Sequence, residues 1–526
     1  MNDTSADWTD KLAQAVGFHR AGRFDAALPL YRSVLDVVPN HAEALALLAT
    51  LHTQAGRFAE ALPYFDAFLE AKPDSPVILM NRGVALHELG RLEEALASYD
   101  GALRVQQDYA EAWFNRGRVL KALEHNDDAL ASYDHAIAIR PNFAAALNNR
   151  GNLLQDAERH EEALASFDAA IAASPDFAEL HSNRANVLGR LNRHAEAVAS
   201  YDRAMALNPD DAATRWNAAF SHLSLGDFAA GWKLFEWRWK VKSSGSSPQH
   251  FAAPLWLGQE DLRGKTILLH AEQGIGDTIQ FCRYAGMVSS LGAKVILGVP
   301  STLRALMTNL AGVAQVISGG ESFTRIDYHC PLLSLPLAFA TDRGSIPAPI
   351  PYLTPDPARV ARLAEKLGPR RKLRVGLAWT GSPGYRNDRN RSIAMTKLLP
   401  LAQCGAELFS LQRELTAAEY AILAEDPTIK DVPMDFSDFS DTAAFISLMD
   451  LVISVDTSIA HAAGALGKPV WVLLPFAADW RWMLDHDRSP WYPQARLFRQ
   501  KSPIDWAGVV AEVGDELKAL AGSPPF

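Results

Sequence analysis

The sequence predicts a multidomain fold: an all-α superhelix of paired helices, followed by an α/β half built from two Rossmann-like subdomains. Three observations carry this reading. A 34-residue period runs through roughly the first 240 residues, and it stops near Lys265. Beyond that point short apolar runs alternate with helical stretches, twice over, with a proline-rich crossover between the two series. At 526 residues the chain exceeds what one core holds, so two or three domains are expected. The expected boundaries are a repeat arm over 8–240, a linker over 241–260, a first subdomain over 261–345, and a crossover with the second subdomain over 346–526.

The period is read from several registers at once. Prolines stand at Pro39, Pro73, Pro141, Pro175 and Pro209, with Gln107 filling the gap. Tyr31, Phe65, Tyr99, Tyr133, Phe167, Tyr201 and Phe235 keep the same step, as do Ala27, Ala61, Ala95, Ala129, Ala163 and Ala197. Turn residues follow it at Gly22, Gly56, Gly90 and Gly226, and drift to Glu124, Glu158 and Asn192 in the middle repeats. Each unit reads as two amphipathic helices: alanine allows close approach, the aromatic wedges between them, and proline ends the unit. Over 8–240 this pattern resembles the tetratricopeptide (TPR) repeat family, with six repeats and a final helical pair.

Asn81, Asn115, Asn149, Asn183 and Asn217 recur at the same step on the first helix of each pair. Asparagine carries a donor and an acceptor, so a column of them can clamp an extended peptide backbone without reading its side chains. The arrangement is similar to the asparagine ladder in the repeat arm of O-GlcNAc transferases. The alternative is that each asparagine ties neighbouring repeats together. Arg82, Arg116, Arg150 and Arg184 follow the asparagines. They either add positive charge near the groove or pair with acidic residues of adjacent helices.

Residues 212–240 complete the last pair and end in Trp232-Lys-Leu-Phe-Glu-Trp-Arg-Trp239. Three tryptophans in so short a stretch predict burial against the second half. Lys242-Ser-Ser-Gly-Ser-Ser-Pro248 has linker composition.

In the second half, strands are expected at Thr266–His270, Lys294–Val299, Ala314–Ile317, Arg374–Trp379, Glu407–Leu411, Leu451–Val455 and Val470–Leu474. Helices are expected from Gly276 to about Gly286, over Lys397–Cys404 and over Ile459–Leu466. Gly274-Ile-Gly276-Asp277 lacks the third glycine of a dinucleotide fingerprint, and no GxxxxGK[ST], HExxH or GxSxG occurs. Asp485-His486-Asp487 has the form of a DxD metal motif but stands near the chain's end rather than after a central strand, so no metal is expected.

Ala271-Glu-Gln-Gly-Ile-Gly-Asp-Thr278 and Asp450-Leu-Val-Ile-Ser-Val-Asp-Thr-Ser-Ile-Ala-His-Ala-Ala-Gly-Ala-Leu-Gly-Lys-Pro469 resemble the two hallmark segments of heptosyltransferase-type (family 9) glycosyltransferases of GT-B architecture. Joined to a repeat arm, they are similar to the bacterial TPR glycosyltransferases, including those that modify flagellin. The resemblance implies an inverting, metal-independent protein O-glycosyltransferase that takes a nucleotide-activated sugar to Ser or Thr of a polypeptide acceptor, flagellin being the one suggested. It places Asp277 as catalytic base, and one carboxylate accepting the hydroxyl proton suffices for such a transfer. The other reading makes Asp277 the N-cap of its helix. The resemblance also assigns donor binding to Gly276, Arg391, Ser392, Asp456, Thr457, Ser458 and His461, Ser458 standing where heptosyltransferases carry glycine. Thr457 and Ser458 would offer hydroxyls and N–H groups at a helix N-terminus, which suits phosphate. Thr380-Gly-Ser-Pro383 and the basic loop Arg386-Asn-Asp-Arg-Asn-Arg391-Ser392 would neutralise the leaving nucleotide, as a metal-free enzyme requires. The aromatics of Asp479-Trp-Arg-Trp482 and Ser489-Pro-Trp-Tyr492 read first as core and second as a stacking platform. Two other functions fit the same features: an adaptor with a degenerate transferase half, or a transferase acting on lipid or polysaccharide.

A net charge of −10 argues against a general nucleic-acid or anionic-membrane binder. Cys282, Cys330 and Cys404 are widely spaced and form no CxxC pair, which suits a reducing compartment. The polar, acidic start Met1–Asp7 resembles no signal peptide, so a cytoplasmic location is expected.

Overall fold

The computed structural model describes residues 4–242, 251–319, 321, 325–347, 350–381, 388–432, 436–484 and 486–522. The chain forms two compact units, Met1–Val187 and Leu188–Phe526.

The first unit is helical throughout. Its antiparallel pairs are Thr4–Arg20 with Phe24–Val37, Ala42–Gln54 with Phe58–Ala71, Pro76–Glu88 with Leu92–Val105, Ala110–Ala122 with Asn126–Ile139, and Ala144–Asp156 with His160–Ala173. Tyr31, Phe65, Tyr99, Tyr133 and Phe167 are all fully buried, and burial of such a side chain contributes about 1.5–3 kcal/mol. The rings need space, and glycine provides it. A Cβ on Gly83, Gly117 or Gly151 would lie 2.6, 2.6 or 2.7 Å from the ring of Tyr99, Tyr133 or Phe167.

Within each pair the first helix ends in a left-handed residue whose following N–H returns to a carbonyl of the last turn. Gly22, Gly56 and Gly90 adopt this conformation, and so do Glu124 (φ 62°) and Glu158 (φ 60°). His125 N donates to Leu120 O at 2.9 Å, as Arg23 N does to Phe18 O, so the motif is unchanged where glycine is missing. A side chain at positive φ costs about 1–2 kcal/mol. The double substitution Glu124→Gly/Glu158→Gly is therefore expected to raise the melting temperature by a few degrees in calorimetry, with unchanged helix content.

The periodic arginines are structural. Arg82 Nε donates to Asp66 Oδ1 of the preceding repeat at 2.7 Å, and Nη1 donates to Ser98 Oγ of its own repeat at 2.7 Å. Arg116 does the same to Asp100 and Ser132, and Arg150 to Asp134 and Ser166. Arg184 Nε reaches Asp168 at 2.6 Å. The expectation that these arginines pair with neighbouring acids is the one the structure has.

The second unit holds the helices His194–Leu207, Ala212–Leu225 and Phe228–Phe235, followed by two parallel sheets. The first sheet contains β1 (Thr266–His270), β2 (Lys294–Gly298), β3 (Val313–Ile317) and β4 (Tyr328–Pro331), in the order β3-β2-β1-β4. The second contains β5 (Arg374–Ala378), β6 (Glu407–Ser410), β7 (Ile429–Lys430), β8 (Leu451–Val455), β9 (Val470–Leu474) and β10 (Ala495–Arg499), in the order β10-β9-β8-β5-β6-β7. Counted along the chain, the second sheet runs 3-2-1-4-5-6, the doubly wound Rossmann order. β5 and β8 are buried at every position, as parallel strands covered on both faces must be. The expected fold class is thus the observed one: helical repeats followed by a parallel α/β region.

Three local differences stand. Lys397–Cys404 is not an α-helix but two 3₁₀ turns, Met395–Lys397 and Leu399–Cys404, because Pro400 supplies no backbone N–H. The helix expected to reach about Gly286 ends at Phe281, and a 3₁₀ turn leads into a second helix, Ala285–Ser290. Trp232 is buried with Trp480 and Trp491, and its Nε1 donates to Thr341 O at 2.9 Å, whereas Trp237 and Trp239 remain half-buried. Residues 243–248 of the linker lie outside the described residues.

Candidate functional site

In doubly wound sheets, ligands bind beyond the carboxyl ends of the strands, where the strand order reverses. In the first sheet that point lies between β1 and β4; in the second it lies between β5 and β8. The Asp277 segment leaves the end of β1, and the Asp456–His461 segment leaves the end of β8. Both motifs therefore sit where topology puts a ligand.

After β1 the chain turns at Ala271–Gly274 and starts the helix Ile275–Phe281. Gly274 is the N-cap, so Asp277 is not the cap itself. It stands at the third helical position, where its Oδ2 accepts the Gly274 N–H at 3.0 Å. After β8, Thr457 caps the helix Ser458–Ala465 with its Oγ1 accepting from Ile459 N at 3.3 Å, and Ser454 Oγ lies 3.1 Å from the same hydroxyl. The Thr457 side chain is thereby committed to the cap, while Ser458 is half-exposed at the first turn.

The two helices touch. A Cβ on Gly276 would lie 2.8 Å from His461 Cδ2 and 3.6 Å from Ser458 Cα. The ring of His461 cannot yield: Nδ1 is 3.0 Å from Tyr492 Oη, and its face stacks on Trp482 at 5.6 Å. Gly276→Ala is expected to cost about 1–3 kcal/mol by overpacking, read as a lower melting temperature.

Charge is concentrated here. Asp277 pairs with Arg481, which stands in the 3₁₀ turn Trp480–Trp482. Asp479 pairs with the same guanidinium at 2.8 Å. Arg391 donates from Nε to Asp388 Oδ1 at 3.0 Å and from Nη1 to the Asp456 carbonyl at 2.8 Å. Ser392 Oγ donates to Asp388 Oδ2 at 3.0 Å and accepts from Gly381 N at 3.3 Å. The basic loop is thus tied to the ends of β5 and β8 by Ser392 and Arg391, both of which Asp388 braces. Ser382, Pro383, Arg386 and Asn387 of the same stretch lie outside the described residues.

Burial pushes the Asp456 carboxyl up to about 6, helped by Asp479 and opposed by Arg391 and Arg481. Burial also raises Asp277, against the pull of Arg481. For His461, burial and the guanidiniums of Arg481, Arg283 and Arg391 hold the ring neutral, well below its usual range. Its Nε2 lies 3.9 Å from Asp456 Oδ1.

Sequence reasoning missed the groups that organise these residues. Arg481 and Asp479 reach Asp277 from a stretch that the sequence offers only as aromatic core, about two hundred residues away, and Gln280 on the helix of Asp277 accepts from the same guanidinium. Glu272, inside the first motif, is buried against Arg238 at 2.9 Å, and Arg238 also pairs with Glu236 at 2.6 Å and donates to Ser334 Oγ at 2.8 Å. Burial raises the Glu272 carboxyl to about 7, against the pull of Arg238. Trp480, Trp482, Trp491 and Tyr492 are all buried core.

A cavity of about 380 Å³ opens beyond the ends of β6 and β7, lined by Gln412, Arg413, Tyr420, Phe436 and Thr442 among others. Asp485 lies outside the described residues, and among the described residues no group of three or more His, Cys, Asp or Glu side chains is placed to hold a metal. No helix among them is long and apolar enough to cross a membrane.

In the first unit Asn81, Asn115, Asn149 and Asn183 each lie on the first helix of a pair, half-buried. Asn115 Oδ1 accepts from Arg118 at 3.3 Å, and Asn183 Nδ2 donates to Asn148 Oδ1 of the preceding pair at 3.0 Å. Asn217 is half-buried in the second unit.

Family models of the tetratricopeptide repeat match residues 12–76, 114–178 and 178–211, and a TPR repeat model matches 83–124. The chain carries TPR repeats, modules that commonly bind peptide or protein partners. It is similar to Protein FlbA of Caulobacter vibrioides, with 28% identity over 328 residues, covering 57% of this chain and 54% of that protein. The chain thus spans about half the length of the curated relative it matches. Similar solved structures include a tetratricopeptide repeat protein from Parabacteroides merdae, at 20% identity and TM-score 0.36, covering 44% of this chain and 91% of that one. Another is TTC0263, a thermophilic TPR protein in Thermus thermophilus, at 28% identity and TM-score 0.29, covering 34% and 98%.

Proposed function

We propose that the protein is a glycosyltransferase of GT-B type that moves a sugar from a nucleotide-activated donor to a Ser or Thr hydroxyl of a polypeptide recruited by the TPR arm. The observation that carries this reading is the packing of Gly276 on His461, which brings the two motif segments into direct contact beyond the strand ends. In this reading Asp277 accepts the hydroxyl proton as the acceptor oxygen attacks the anomeric carbon with inversion. Arg391, Ser392, Ser458 and the N–H groups opening the helix Ser458–Ala465 stabilise the charge that develops on the leaving phosphate. Thr457 fixes that helix start, and Asp456 anchors Arg391 through its carbonyl. The cavity beyond β6 and β7 accommodates the nucleoside. In this reading the guanidinium of Arg391 takes the place that a divalent ion holds in metal-dependent transferases. The asparagines Asn81, Asn115, Asn149 and Asn183 of the first unit hold the acceptor backbone, flagellin being the acceptor the resemblance implies, and transfer takes place in the cytoplasm before export.

The test is intact-mass analysis of flagellin incubated with the full chain and a panel of nucleotide sugars. A mass increment of one sugar, dependent on the donor, supports the reading; no increment with any donor, alongside unmodified flagellin from cells that express the protein, overturns it. The engagement of both Asp277 oxygens, by Arg481 and Gly274, favours one rival, an adaptor with an idle cleft. That rival predicts no thermal stabilisation by any nucleoside diphosphate, whereas a donor site at a hundredfold excess over Kd adds about 2.7 kcal/mol.

A further inference from the structure

The geometry points to Arg481 as the positioning residue that sets the aim and the charge of Asp277, an inference that rests on the base role proposed above. Its guanidinium divides among three partners. Nε donates to Gln280 Oε1 at 2.8 Å, Nη1 to Asp479 Oδ1 at 2.8 Å, and Nη2 to Asp277 Oδ1. Gln280 and Asp277 lie on one helix, three residues apart, so the fork grips that helix at two points on one face. Asp479 caps the turn that carries Arg481, its Oδ1 accepting from Arg481 N at 3.0 Å. The guanidinium also lies over the Trp480 ring, 4.4 Å from its centroid. Every rotatable freedom of the side chain is thereby removed, and a fixed cation meets one oxygen of the carboxylate while Gly274 N–H meets the other. Lysine has neither the fork nor the planarity to do this.

The charged and titratable groups around Asp277 come from three elements. Arg481 in the 3₁₀ turn and Asp479, its cap, act on it directly; Asp456 and His461 stand on the segment after β8 that packs on its helix at Gly276; Glu272 stands in the turn preceding its own helix. Arg481 is the cation paired directly with it. Removing that charge raises the carboxyl, so the base stays protonated to higher pH.

The experiment compares wild type, Arg481→Gln, Arg481→Lys and Asp277→Asn in the full chain, by transfer rate against pH and by affinity for UDP, CDP and ADP as probes. Arg481→Gln is expected to move the acidic limb of kcat up by about one to three pH units, with nucleotide affinity within twofold of wild type. Arg481→Lys restores the limb in part but not kcat at its plateau, because charge returns without the fork. An unmoved limb, or a tenfold loss of nucleotide affinity with the limb unmoved, overturns the positioning role and makes Arg481 structural or a donor contact. Should Arg481→Gln fail to fold, the lysine variant alone decides: a wild-type plateau and limb overturn the inference. Undiminished transfer by Asp277→Asn would instead strike the base role itself, and it reads separately from the arginine variants.

Discussion

Asp277→Asn is expected to lower sugar transfer by about 10³-fold, within the range a positioned general base contributes. The amide keeps the volume and can still accept the Gly274 N–H through its oxygen, so the helix start survives. It loses the basic oxygen and half of the ion pair with Arg481. Nucleotide binding should persist, because the proposed donor groups Arg391, Ser392 and Ser458 stand on segments other than the Asp277 helix. Single-turnover kinetics with saturating donor separates the two effects. A kcat within threefold of wild type would place the base elsewhere, and Asp456, whose carboxyl burial lifts to about 6, would be the next group to examine.

The second large effect concerns the arm. Asn115→Ala/Asn149→Ala/Asn183→Ala is expected to raise the KM for the polypeptide acceptor by about 10- to 100-fold, each lost hydrogen bond to the peptide being worth about 0.5–1.5 kcal/mol. Stabilisation by nucleoside diphosphate should not change. If the asparagines instead serve mainly to join repeats, as the Asn183–Asn148 bond does locally, the triple variant will melt earlier and its KM will stay put. Measuring both quantities on the same preparation separates recognition from stability.

How much of this was legible beforehand differs between the halves. The repeats were open to reading because a 34-residue step forces the same side chain into the same environment each time. Even the arginine clasp was in the register, since Asp66, Asp100, Asp134 and Asp168, and Ser98, Ser132 and Ser166, keep that step too. In the sheet half, β1, β8 and β9 were expected at their observed bounds because they are continuous apolar runs. β4, β7 and β10 were not: Tyr328-His-Cys-Pro331 and Ala495-Arg-Leu-Phe-Arg499 interrupt the apolar pattern, and Ile429–Lys430 is only two residues long. The two motif segments were legible as candidates and the fold packs them together, but Arg481 was not recognised as the partner of Asp277, because the pair is 204 residues apart and only folding brings it together. A charged side chain carries no mark of its partner until the chain is closed.

The arginine clasp has one more consequence. Arg82, Arg116 and Arg150 each take one acid from the repeat before and one hydroxyl from the repeat they stand in, so these three joints are made of interchangeable parts. Duplication or loss of a whole unit within this stretch would leave its joints complete, whereas a partial insertion would leave a stud without its socket. The middle of the arm can therefore be lengthened or shortened in whole steps, without any residue of the sheet half having to change.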